Sequence, residues 1–523
     1  MSRFSFSMAA PALAAGSIAL IYVAINAAFH VALVSAAAAT IYLLCLSTPA
    51  RRDMGVRALL IVVLMPVVVW GLETYWLMQL IMLAWVPLFA GRGIGRIVPV
   101  YLLSLLLMPG LDNAVTLGGL KLFDWGVHDG LGFGAAVALF WSQGRNRPPL
   151  RLDIPACAII LMLAAALSRE TSFPNFLRLA LNVLIDLGFP YYIVSRGLRD
   201  VAEMRRSLLW LGCGGITIAC ILIYETARGW AIYPALYNQY HVMQLMLIKS
   251  RGGLLRAGGP FIESTSMAMV VVLCIIAVWA CRREFRSVPH YLLVLAIIFV
   301  GLAAPQSRGA WMGMAFALFL GQLYLSRYLP LIKWSVLGAT GVGLLLTAAS
   351  WSHLLSETLG LSGGSSETSE YRGQLFRRGM EEFWDSPWVG FPVPTLHLRL
   401  ADLRQGEGII DFVNAYIWIM LIGGAIGLVI FVGGYLFYLG GMSRYRKLPA
   451  SHLAEREVAA FVFAGISVMM EMLIFTSFGT RPAMYNFALF GFAAAFISVQ
   501  GRMPAMLRRA PLVRPRPMLV SAQ

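Results

Sequence analysis

Arg256-Ala-Gly-Gly-Pro-Phe-Ile-Glu263 leads through Ser264 into Thr265-Ser-Met-Ala-Met-Val-Val-Val-Leu-Cys-Ile-Ile-Ala-Val-Trp-Ala280, a run without a charge. A glycine-rich turn carrying one arginine therefore opens an apolar helix. The pattern recurs at Ser307-Arg308-Gly-Ala-Trp311, between apolar runs at 290–304 and 309–326. Working outward, further runs fall at 9–28, 30–47, 57–72, 74–90, 97–109, 131–142, 154–168, 176–194, 207–224, 333–350, 413–440, 457–477 and 482–500. The chain of 523 residues is 59% hydrophobic and 13% charged, with mean hydropathy +0.75. That composition excludes a soluble globular domain and predicts an all-α polytopic membrane protein with about 12–16 transmembrane helices. The 97–109 and 131–142 runs fall short of a perpendicular span and read as re-entrant or snorkelled elements.

Charge orients the bundle. With the N-terminus inside, most of the 41 Lys and Arg fall in the tail, in loops near 51–57, 92–96, 145–151, 196–206, 282–286, 327–333 and 444–456, and after residue 501. The opposite side is nearly neutral, as the positive-inside pattern requires. The net charge of +16 is thus topology rather than a nucleic-acid footprint. Both termini are expected to be cytoplasmic, and the first span reads as a retained signal anchor. The organisation expected is N-terminal helices over 1–206, helices carrying the two arginine motifs over 207–350, a large outer loop at 351–411, C-terminal helices over 412–500 and a basic tail at 501–523. Six cysteines lie in spans or at their ends, which gives no disulfide framework.

Arginine at a membrane border normally snorkels toward cytoplasmic headgroups, so Arg256 and Arg308 on the outer side ask for an anion. A lipid-linked pyrophosphate would be such a partner, because guanidinium matches phosphate bidentately and stays charged. Glycines 252, 253, 258 and 259 allow close approach, and Ser264, Thr265 and Ser266 can cap the next helix. The outer loop opens with the Gly/Ser stretch 362–370. Then Tyr371–Trp384 reads as an amphipathic helix with Leu375, Phe376, Gly379, Met380 and Phe383 on one face. Within the 176–194 run, Asn175, Arg178, Asn182 and Asp186 line one face, and Arg178 with Asp186 reads as a structural pair; Glu471, alone in its span, is read the same way. Of the outer histidines, His128, His241, His353 and His397, none has a ligand partner at i+3 or i+4, so no metal site is expected.

In this order the motifs resemble the superfamily of O-antigen ligases and O-antigen (Wzy-type) polysaccharide polymerases, over roughly 200–500. The resemblance rests on Arg256, Arg308, Arg372, Pro387-Trp-Val-Gly390, Asn414-Ala-Tyr416 and Gly423-Gly-Ala-Ile-Gly427. It implies a membrane glycosyltransferase bundle (GT-C-like) with a large periplasmic loop, in the bacterial inner membrane, acting on its outer face without metal or other cofactor. The implied substrates are an undecaprenyl-diphosphate-linked glycan donor and acceptor, among membrane lipids. A chain-length regulator and export machinery are the implied partners. The family's paired arginines hold the donor diphosphate, a role that passes to Arg256 and Arg308. Arg372, Asn414 and Tyr416 are further candidate substrate contacts. Ligase-like members place a histidine just before this asparagine; here it is Val413, which accepts no proton. The catalytic base then falls to Asp411 or Glu263, and a polymerase is favoured over a ligase to lipid A core. A lipid-linked oligosaccharide flippase is the competing class, but it would need charge along the whole depth of a cavity rather than clustered outside.

Overall fold

A computed structural model describes residues 6–502 apart from positions 73, 92, 118–119, 143, 243–248, 252, 353–355, 357–364 and 405–409. Gly252, His353, the start of the Gly/Ser stretch and the basic tail beyond 502 lie outside the described residues.

The chain is an all-α membrane bundle with two small hairpins. It begins with α1 (Phe6–Cys45), α2 (Thr48–Gly71), α3 (Tyr75–Ala90) and α4 (Ile97–Leu107). A hairpin of β1 (Asp112–Leu117) and β2 (Leu120–Gly126) follows, then α5 (Val127–Trp141) and α6 (Leu150–Leu167). Helices α7 (Phe173–Val183) and α8 (Phe189–Gly197) are joined by a π-turn at Leu184–Gly188. Next come α9 (Val201–Arg228), α10 (Pro234–Gln239), the hairpin β3 (Ser250–Arg251) and β4 (Leu254–Leu255), α11 (Ser264–Ala280), α12 (Val288–Ala303), α13 (Arg308–Tyr324) and α14 (Tyr328–Trp351). The outer loop contributes α15 (Ser365–Asp385) and α16 (Val393–Arg399); α17 (Ala415–Ser443), α18 (Leu453–Met472) and α19 (Thr480–Arg502) finish the bundle.

Seven helices among the described residues are long and apolar enough to cross a membrane, and α3 with α4 forms an eighth candidate broken at 118°. The number is below the 12–16 helices expected, in part for identifiable reasons. The 9–28 and 30–47 runs fuse into α1, while α5, α11 and α12 are shorter apolar helices. Helix α11 is buried along nearly its whole length and packs on α9, α13 and α18. Helix α9 also carries α1, α4 and α12. Outer helices expose Ile25, Phe29, Leu292, Val300, Val429 and Leu436, apolar faces suited to lipid.

The loop carrying α15 and α16 is anchored through a break in α17. Gly424 sits at φ +62° and interrupts the helix, and Gly390 adopts the same left-handed conformation opposite it. A side chain at either position would collide with the other segment's backbone. The freed amides of Ala425 and Ile426 donate to Pro387 O and Trp388 O at 2.8 and 3.2 Å, and Phe391 N donates to Leu421 O at 2.7 Å. Arg169 completes the join by donating to Gly390 O (3.2 Å) and Ile422 O (2.6 Å). Backbone groups released by a broken membrane helix need such partners, since hydrocarbon offers none. Helix α15 lies against α17 through Leu375 and Gly379, as its pattern predicts, but Phe376 is exposed.

Candidate functional site

The two arginine motifs meet through backbone carbonyls. Strands β3 and β4 pair Ser250 with Leu255 and Arg251 with Leu254, a hairpin that brings Arg251 beside Arg256. Arg256 Nε then donates to Pro305 O and Arg251 Nη1 to Gln306 O, each at 3.1 Å. Those carbonyls belong to the turn that delivers Ser307 and Arg308, so the 256 and 308 motifs form one structure. From the outer loop, Arg372 Nη2 donates to Phe475 O at 3.2 Å. Phe475 also packs against Gly309, next to Arg308.

Four guanidinium groups thus converge, and their electrostatics register it. Burial first, then Arg256, Arg308 and Arg372, push the Arg251 pKa down to about 10. Arg256 is lowered by burial and by Arg308 and Arg372, against an opposing pull from Glu263. Arg372 is lowered by burial and by Arg308, with Asp411 opposing. Like charges held together and partly desolvated are a costly cluster that a multiply charged anion could neutralise.

The pocket is braced from beneath. Glu225 of α9, fully buried, accepts Gly259 N and Ile232 N at 2.9 and 3.0 Å. Pro260 O accepts Gly110 N at 3.2 Å. Phe261 stacks under Arg481, 4.8 Å from ring centre to guanidinium carbon. Ile262, at φ +64°, holds a conformation unusual for a branched residue at the end of the arginine turn.

The remaining candidates divide by what their polar atoms do. Both carboxylate oxygens of Glu263 cap α11, accepting Thr265 N (3.1 Å) and Ser266 N (2.7 Å). Asn414 Oδ1 likewise caps α17, accepting Tyr416 N and Ile417 N. The Tyr416 hydroxyl donates to Met470 O at 2.7 Å. Asp411 is half-buried, its carbonyl accepting Tyr371 OH at 3.1 Å, and its carboxylate acts on Arg372. Inside the bundle, Glu471 Oε2 is buried against α13 near Gly313, without a hydrogen-bond partner among the described residues.

Two features escaped the sequence reading. Arg251 was not singled out, although Gly252-Gly253 between Arg251 and Leu254 is a two-residue hairpin signal. The Arg178–Asp186 pair is replaced by other contacts: Arg178 donates to Asn175, and Asp186 Oδ1 lies 3.1 Å from His128 Nε2.

The fold defines a multi-pass membrane protein in which four arginines converge between the 305–308 turn and the loop carrying α15. Residues 292–432, somewhat over a quarter of the chain, match the family model described as O-antigen ligase. This agrees with the ligase and polymerase superfamily recognised from the motifs and supports a membrane glycan ligase- or polymerase-type role. The matched stretch contains Arg308, Arg372, Asp411, Asn414 and Tyr416; Arg251, Arg256 and Glu263 precede it. No curated protein matches the chain.

Proposed function

We propose that the protein is an inner-membrane polysaccharide polymerase, transferring a lipid-diphosphate-linked glycan to a hydroxyl of a second lipid-linked repeat unit on the periplasmic side. The observation that carries this reading is the convergence of Arg251 and Arg256 on the Pro305–Gln306 carbonyls beside Arg308, with Arg372 facing them. In the reaction the acceptor oxygen bonds to the anomeric carbon while that carbon's bond to the diphosphate oxygen breaks. Negative charge grows on the departing lipid diphosphate, where the arginines stabilise it without a metal at that point. The hydroxyl proton passes to a carboxylate. Asp411 suits this role through its position beside Arg372, on whose guanidinium its carboxylate acts, within the matched family segment. The family description favours a second reading, ligation of glycan to lipid A core. Against it, Val413 stands where ligase-like members carry histidine.

Arg256→Ala and Arg308→Ala should each cut chain elongation at least about 100-fold at normal protein levels. Lysine at either position should rescue poorly, since a point charge lacks the bidentate fork. Long polymer from the alanine variants would defeat the diphosphate assignment. Asp411→Asn should accumulate single lipid-linked repeats, whereas Glu263→Gln should retain elongation. Glycan gels of a deletion strain separate the two readings: a polymerase defect leaves short repeats, and a ligase defect leaves long chains on the carrier lipid.

A further inference from the structure

Away from the arginine pocket, a second polar cluster sits where β2 enters α5. His128 is 4% exposed and Asp129 6% exposed. His128 Nε2 lies 3.1 Å from Asp186 Oδ1 and 3.4 Å from Asp129 Oδ1. On the other side of the ring, Asp112 Oδ1 stands 3.6 Å from Nδ1. Asp129 Oδ2 is occupied in accepting Gly126 N at 2.7 Å, but Asp129 Oδ1, His128 Nδ1 and Asp112 Oδ1 are buried atoms without hydrogen-bond partners among the described residues. Three carboxylates around one buried imidazole are costly unless a positive charge satisfies them, either a second proton on His128, whose Nε2 hydrogen-bonds Asp186, or a bound cation.

We propose that His128 Nε2, Asp129 Oδ1 and Asp186 Oδ1 bind a divalent cation of the zinc or manganese type, with Asp112 orienting the imidazole from behind. The three donor atoms lie within 4.8 Å of one another. Ligand atoms about 2.0–2.1 Å from a tetrahedral ion stand roughly 3.3 Å apart, which the 3.1 and 3.4 Å separations match. One imidazole nitrogen with two carboxylates suits a borderline first-row ion better than magnesium or calcium. A carboxylate behind the ligating histidine is the usual device for fixing its tautomer, and Asp112, at 3.6 Å, would close to hydrogen-bond distance when the ion binds. Asp186 stands in the π-turn, an insertion that frequently marks functional positions. Gly126 is required by the packing, because a side chain there would overlap the His128 ring and the Asp112 carboxylate. Asp186 and Asp112 side chains are 22% and 42% exposed, which opens a path for the ion.

The ion would tie the root of the β1–β2 hairpin to the α7–α8 turn. Two residues before Asp112, Gly110 N donates to Pro260 O, so the same brace supports the turn carrying Arg256. Its role is structural and independent of how glycan is transferred.

The test uses full-length protein without a polyhistidine tag, in detergent, stripped with chelator and equilibrated separately with Zn²⁺, Mn²⁺ or Ca²⁺. Mass spectrometry of bound metal should find roughly one equivalent of Zn²⁺ or Mn²⁺ per chain, with a raised unfolding temperature. His128→Gln and Asp186→Asn should lose that metal, Asp112→Asn should weaken it about 10–100-fold, and His241→Gln should leave it unchanged. Asp186→Asn is nearly isosteric, so its result stands even if the histidine variant misfolds. Absence of stoichiometric metal from wild type, binding of Ca²⁺ alone, or equal metal in the variants would overturn the proposal.

Discussion

At the scale of single residues, Arg251 shows how a cluster of like charges can cost stability. Its pKa of about 10, below the usual 12.5, means the folded chain holds the proton less well than the unfolded chain does. At neutral pH the group is still charged, so the full penalty is present there and is relieved only as pH rises through about 10. An anion relieves it sooner. Arg251→Gln should therefore raise the unfolding temperature of the ligand-free protein by roughly 2 °C. The same change should weaken pyrophosphate binding about tenfold, the loss of one charge-assisted hydrogen bond. Thermal shift with inorganic pyrophosphate reads both effects, and added salt should shrink the wild-type shift. A variant less stable than wild type, with unchanged pyrophosphate response, would place Arg251 outside the pocket.

At the scale of elements, what the sequence disclosed depended on distance along the chain. Uncharged runs announced the helices, and Arg256 and Arg308 stood out because cations are rare at the outer ends of such runs. Leu375 and Gly379 were legible as the buried side of α15 from periodicity alone, whereas Phe376, exposed in the fold, shares that stripe without a partner. The Arg178–Asp186 reading failed for a simple geometric reason: eight residues of helix separate their backbones by about 12 Å, beyond ion-pair reach. Asp186 instead meets His128, 58 residues away, because α5 packs on α8. Local ligand spacing has no access to such a meeting. The Pro387–Gly390 and Gly423–Gly427 motifs were visible separately, but their interlock depends on the left-handed conformations of Gly390 and Gly424.

At the scale of the whole molecule, polar contacts separate into two ends. One end gathers the arginine pocket, the β1–β2 hairpin and the outer loop. At the other, Glu457, 1% exposed at its side chain, accepts from Arg205 at 2.9 Å and Arg282 at 2.6 Å, with Arg283 at 3.6 Å. Arg205 also pairs with Glu284 at 2.7 Å, and Glu284 O accepts Ser47 N, joining α1–α2 to α11–α12. Helices α9, α11 and α18 run between the two ends. Removing Glu457 takes the carboxylate from the largely covered Arg282 and leaves Arg205 with Glu284 alone, and breaking a buried pair in this way typically costs about 3–5 kcal/mol. Glu457→Ala should thus lower the unfolding temperature sharply, while pyrophosphate affinity, measured on the surviving folded protein, stays within about twofold of wild type. Arg256→Ala should do the reverse, removing the pyrophosphate response with little change in ligand-free stability. If Glu457→Ala also abolished pyrophosphate binding without unfolding the chain, the ends would be coupled, and the pocket would depend on the bundle's basic end.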